Sequence, residues 1–174
     1  MTHDNKQEHL VPAYQKMMDR VDENYKQPST TDKTLHQRID DAIDKAIELE
    51  ELTGEEAKRI GNYLRRDLQD AGEFIVTTEQ AFADWVRFDL ELIEERLLEM
   101  FSLMVDQAQL ELENLAETAR QATEWHSGEI AGIGTLDCES CGKALHFYKP
   151  DFIPACPNCG ATRFRRVIDI ENGE

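Results

Sequence analysis

Apolar residues recur at steps of three and four from the start of the chain. Leu10, Tyr14, Met17, Val21 and Tyr25 predict a helix over residues 10–26. QPSTTDK interrupts the pattern with Pro28 and several residues suited to capping. A second stripe, Leu35, Ile39, Ala42, Ala46 and Leu49, is widened by Ile43 and Ile47. Thr53 followed three residues later by Glu56 is a capping box, and Ile60, Leu64 and Leu68 line the face of the helix it opens. Gly72 is the expected end of that helix. From about Thr78 to about Thr123 the pattern predicts one long helix, roughly 70 Å at ~1.5 Å per residue. Its heptad-like seam runs through Val86, Leu90, Ile93, Leu97, Met100 and Met104, then Ala108, Leu112, Leu115, Ala119 and Ala122. The eleven-residue step from Met104 to Leu115 shifts the stripe as a stutter does.

After Trp125 the helical period stops. HSGEIAGIGTLDC places Gly128, Gly132 and Gly134 within seven residues and is expected to be a linker turning into a strand. Beyond it, ALHFYK and TRFRRVI read as short strands, the second placing Arg163 and Arg165 on one face and Arg166 on the other. These elements predict a mostly α fold: an elongated, coiled-coil-like helical hairpin or bundle with a small C-terminal β unit. The expected organisation is an acidic helical body over 1–124, a glycine-rich linker over 125–135, a ribbon over 136–170 and an acidic tail over 171–174.

All four cysteines lie in the ribbon, as Cys138-x2-Cys141 and Cys156-x2-Cys159, each pair followed by a glycine, Gly142 or Gly160. Two residues between thiols let one tight turn aim both sulfurs at a single ion, and zinc accepts four thiolates tetrahedrally. Glycine supplies the positive φ such a turn needs. A unit of about 35 residues cannot fold on an apolar core alone, and a bound metal supplies the missing stability. One structural zinc held by Cys138, Cys141, Cys156 and Cys159 is the leading expectation. A redox pair and a rubredoxin-like iron site are the alternatives; the first lacks the βαβ context of thioredoxin-like motifs. His146, between the pairs, is expected to be a strand residue rather than a ligand.

Charge adds a constraint. The chain carries 36 acidic and 19 basic residues, a net charge of −17. Residues 136–170 hold five basic against four acidic side chains, so the acidity belongs to the helices. Such a balance opposes nucleic acid and anionic lipid. It leaves Arg163, Arg165 and Arg166 as candidates for contact with a partner, nucleic acid or the chain's own acidic helices. No Ser–His–Asp set, phosphate loop or dinucleotide fingerprint is present, and no enzyme is expected. There is no signal-peptide pattern and no run of 18 apolar residues, so a cytoplasmic chain without a membrane span is expected.

WHSGEIAGIGTLDCESCG, CPNCGATRFRR and ELTGEEAKRIGNYLRRDL resemble the corresponding stretches of the YbeL-like zinc-ribbon proteins of bacteria. The four cysteine positions match residue by residue. The resemblance implies a cytoplasmic bacterial protein with a helical body and a zinc ribbon, and supplies no activity. The functional expectation is a zinc-binding, non-enzymatic interaction or adaptor protein. Its helices would bind a protein partner or form a homodimer through Leu112, Leu115, Ala119 and Ala122. The rival is a nucleic-acid-associated regulator using the ribbon arginines.

Overall fold

A computed structural model describes residues 7–27, 32–114 and 124–166. Five helices come first: α1 (Leu10–Lys26), α2 (Leu35–Glu48), α3 (Gly54–Thr78), α4 (Phe82–Val86) and α5 (Glu95–Asn114). Six short strands follow: β1 (Trp125–His126), β2 (Ile130–Ala131), β3 (Gly134–Cys138), β4 (Ala144–Phe147), β5 (Asp151–Phe152) and β6 (Arg163–Arg165). The fold is therefore mostly helical with a C-terminal β unit.

Local chemistry sets the helix starts. The Thr34 hydroxyl accepts from the Gln37 N–H and the Gln37 side chain accepts from the Thr34 N–H, and Thr53 and Glu56 form the same box at α3. Each cap satisfies two N–H groups that the first turn leaves without partners. The apolar stripes then fix the packing. α3 is the central element and packs against α1, α2, α4 and α5. Tyr14, Met17, Ile39, Ile60, Leu64, Leu68, Phe101 and Met104 are all buried in the core they share. Each large apolar side chain removed from water in this way contributes about 1.5–3 kcal/mol.

The long helix expected from Thr78 to Thr123 is not continuous. α3 runs through Gly72, which is buried within it, and stops at Glu79 in the left-handed conformation. A short α4 follows and ends at Arg87, also left-handed, and a 3-10 turn over Leu90–Leu92 leads to α5. Asp89 caps that turn by accepting from the Glu91 N–H. The seam residues Val86, Ile93, Leu97, Met100 and Met104 are buried all the same, because the broken segment folds its apolar side chains back onto the body. Phe82, Trp85 and Phe101 stack there with ring centres 5.6–6.0 Å apart. Leu49, read as part of the α2 stripe, lies beyond the helix end and is exposed. Leu115, Ala119 and Ala122, and the Leu112 side chain, lie outside the described residues, as do Pro28 and the acidic tail.

The glycine-rich stretch is not a spacer. It contributes β1, β2 and the start of β3, and residues 130–138 are buried throughout. β1, β6, β3 and β4 form one antiparallel sheet in that order, and β2 pairs with β5 in a second. The register sets Trp125 and Cys138 opposite Phe164, with His126 opposite Arg163 and Asp137 opposite Arg165. The ribbon thus begins at Trp125, and its first and last strands lie side by side.

Candidate metal centre

The two cysteine pairs sit in turns built alike. Gly142 N–H donates to the Cys138 carbonyl at 2.9 Å, and Gly160 N–H donates to the Cys156 carbonyl at 2.8 Å. The return bonds also match, Cys138 N–H to Lys143 O at 2.9 Å and Cys156 N–H to Ala161 O at 2.8 Å. Both glycines hold positive φ, 76° and 75°, where a side chain would be strained. The turns bring all four Sγ atoms within 4.8 Å of one another. Cys138 and Cys159 approach to 3.5 Å, and Cys141 and Cys156 to 3.6 Å.

These separations decide what the cluster can be. A disulfide needs its sulfurs at ~2.05 Å, and the cysteines are free thiols. Four thiolates at ~2.3 Å from one zinc would stand about 3.8 Å apart, the edge of a tetrahedron, so the donor set fits the ion in kind and in size. Thiols this close do not ionise independently. The Asn158 side chain leads the groups that bring Cys141 down to about 6. At Cys159 the Ala161 N–H lowers the value, but the facing Cys138 thiol and its neighbours push it up to about 12. A divalent cation removes this conflict by displacing the protons. His146 stands apart from the cluster: its Nδ1 lies 2.8 Å from the Thr135 hydroxyl, and its ring meets Phe88 edge-on. His126 faces Glu124 and Glu129.

The chain matches the zinc-ribbon containing domain family over residues 22–168. It belongs to that family. Its relatives named "Uncharacterized protein YbeL" from Escherichia coli strains K12, O6:H1 and O157:H7 are each 30% identical to it over 129 residues, which is 74% of this chain and 79% of the relative. No solved structure matches. Family membership and the clustered thiols together point to zinc binding by this ribbon.

The three arginines do not form one surface. Arg163 is 64% exposed, with Nε 3.8 Å from Glu139, and Arg165 is exposed on the same face of β6. Arg166 takes the alternative of contact with the chain's own acidic helices: it is only 7% exposed and turned into the helical body, where its Nε lies 2.7 Å from Asp70 Oδ2.

That inward turn belongs to a polar seam between ribbon and body which the cysteine motif did not reveal. Asp67 on α3 is fully buried. It accepts from Tyr14 Oη at 2.8 Å, from Gly132 N–H at 2.8 Å and from Trp125 Nε1 at 3.0 Å. Arg66 donates to Glu129 at 2.5 Å and to the Ile130 carbonyl at 3.0 Å, with its guanidinium 5.1 Å from the Trp125 ring centre. Arg87 donates to Asp137 at 2.8 Å. Burial pushes the Asp70 carboxyl up against the opposing pull of Arg166, and burial likewise raises the Tyr14 hydroxyl well above its ordinary value. A carboxylate directly after a double arginine, Asp67 behind Arg65 and Arg66, on a helix that shares its buried face with Leu64 and Leu68, was the available signal.

Proposed function

We propose that this protein is a non-enzymatic interaction protein whose C-terminal ribbon is held by one structural zinc on Cys138, Cys141, Cys156 and Cys159. The observation that carries the reading is the closure of the thiol cluster: four sulfurs, mutually within 4.8 Å, fill a tetrahedral shell and leave no position for a substrate. The ribbon then acts as a rigid contact surface fused to the helices, not as a mobile appendage. Tyr14, Asp67, Gly132 and Trp125 support this, since their bonds cross from α1 and α3 into the β unit. The protein partner binds the fused unit, and the acidity of the chain favours a basic one.

The rival, a nucleic-acid-associated regulator, loses one of its three arginines to the internal ion pair with Asp70. Arg163 and Arg165 still face outward, but Arg163 lies beside Glu139. No helix among the described residues is long and apolar enough to cross a membrane. Elemental analysis of protein purified without chelator tests the metal reading: one zinc per chain is expected, and iron or no metal would overturn it. A gel-shift titration at about 150 mM salt, where screening acts beyond ~8 Å, tests the rival. No shift is expected, and tight binding lost in an Arg163→Ala, Arg165→Ala double variant would reverse the preference.

A further inference from the structure

The chain has two tryptophans, and both stand where the ribbon meets the body. Trp125 donates from its indole to Asp67, and Trp85 donates from its indole to Asp70 at 2.8 Å. Arg166 lies between them. Its guanidinium carbon is 3.9 Å from the Trp85 ring centre and 5.0 Å from that of Trp125, and its Nη1 donates to the Thr135 carbonyl at 3.0 Å. A cation enclosed by two indoles and a carboxylate is held by cation–π attraction and charge together, with little water to screen either.

The strand that delivers Arg166 meets the thiol cluster at its start and along one edge. It leaves the second cysteine turn, whose exit is fixed by the Cys156 N–H to Ala161 O bond. It pairs on one side with β3, where Phe164 stands opposite the ligand Cys138. On the other side it pairs with β1, for which β6 is the only strand partner among the described residues. The ribbon's own apolar cluster is small, and two of its eight buried members are Cys138 and Cys156. Without a metal those two thiols are no longer drawn together, and a unit of this size lacks the core to hold β6 in place.

We propose that zinc occupancy gates a face of the helical body, with Arg166 as the latch. With zinc bound, β6 is fixed, Arg166 is seated on Trp85 and Asp70, and Trp125 is seated on Asp67. When zinc leaves, β6 and β1 separate, both tryptophans lose a face, and the acidic and aromatic surface of α3 and α4 opens. That surface adjoins a cavity of about 240 Å³ where Asp70, Glu73, Asp84 and Trp85 meet Arg87 and the latch Arg166 itself. It fits the kind of group it has lost, a guanidinium or ammonium. The gate rests on the zinc reading above, and metal content is therefore measured separately from latch position.

The test uses the full-length zinc-loaded chain and follows tryptophan emission together with the two indole N–H resonances. Removal of zinc by a chelator shifts the emission to the red and moves both indole signals while most helical circular dichroism stays, and returned zinc reverses the change. Arg166→Ala, with one zinc per chain retained, reproduces the shift of the Trp85 signal and speeds its solvent exchange at least tenfold. Arg166→Lys, which keeps the charge but not the planar stack, moves it less. Metal-free protein with both indole signals in place would overturn the gate alone, as would an Arg166→Ala protein with an unmoved Trp85 signal. Loss of all helical signal with the metal would also overturn it, because the change would then be global. A starting protein that never held zinc would overturn the metal reading and the gate with it.

Discussion

Replacing Asp67 separates the polar seam from the apolar core it crosses. Asp67→Ala removes the acceptor of three buried donors at once: the Tyr14 hydroxyl, the Trp125 indole and the Gly132 N–H. Each donor left unpaired costs about 1–3 kcal/mol. Removing a buried carboxylate also returns its own desolvation cost, so the net falls below the simple total, at about 3–5 kcal/mol. Asp67→Asn is gentler. With its oxygen at the Oδ2 position it still accepts from Tyr14 and Gly132, and its NH2 then faces the Trp125 indole N–H. One bond is lost, for about 1–3 kcal/mol. A chain of this length loses roughly 2–4 °C of melting temperature per kcal/mol. Thermal unfolding of the zinc-loaded variants should therefore rank wild type, Asn and Ala in falling order. The alanine variant should fall by about 6–20 °C. An alanine variant within about 1 kcal/mol of wild type, or one more stable than the asparagine variant, would refute the claim that Asp67 joins ribbon to body.

Cys138→Ser or Cys159→Ser should abolish stoichiometric zinc binding in elemental analysis while circular dichroism keeps most of its helical signal, since the helices have their own core. Gly134→Ala should destabilise by at least about 1–3 kcal/mol in urea unfolding, because its φ is 136° and a Cβ there would stand 2.5 Å from Arg166 Nη1 and 3.1 Å from the Trp85 ring. Thr53→Ala should cost about 0.5–2 kcal/mol by loss of the α3 cap. Glu56, whose carboxylate accepts from the Thr53 N–H, is held below its ordinary value of 4.5 chiefly by that bond. Its contribution is complete above 4.5 and is lost as pH falls through the lower folded value, so acid should narrow the gap between wild type and Glu56→Gln in denaturant titrations.

The parts of the fold written in short-range chemistry were legible in the sequence. The three-and-four spacing of Leu10, Tyr14, Met17 and Val21 made α1, and the Thr53–Glu56 box placed the start of α3 within a residue. The cysteine turns and their glycines were readable because a tight two-residue spacing admits few geometries. What was not legible has tertiary reasons. The apolar spacing from Val86 to Met104 continued across a backbone that breaks at Arg87 and at the 3-10 turn over Leu90–Leu92, because burial on the body demands the same residues whether or not the helix is continuous. Gly132 and Gly134 looked like flexibility, yet their role is closeness: a Cβ at Gly132 would sit 2.8 Å from the Tyr14 hydroxyl. Strand alternation did set Arg166 on the other face from Arg163 and Arg165, but its partner Asp70, some ninety-six positions earlier, could not be named from the sequence.

The metal cluster has two unlike sides. In each pair one cysteine is buried, Cys138 or Cys156, and the other is exposed, Cys141 or Cys159. The sulfurs that approach most closely across the cluster, Cys138 with Cys159 and Cys141 with Cys156, join one of each kind. A metal held by these thiols would therefore be reached from one side. An incoming chelator, a competing cation or an electrophile meets the Cys141–Cys159 edge first, while Cys138 and Cys156 keep their hold from below. A zinc held here would be retained by the two buried thiols, Cys138 and Cys156, after the exposed pair is reached. With the exposed thiols open to a competitor while the buried pair still holds the ion, the rate of exchange would depend on the concentration of the competitor as well as on spontaneous dissociation.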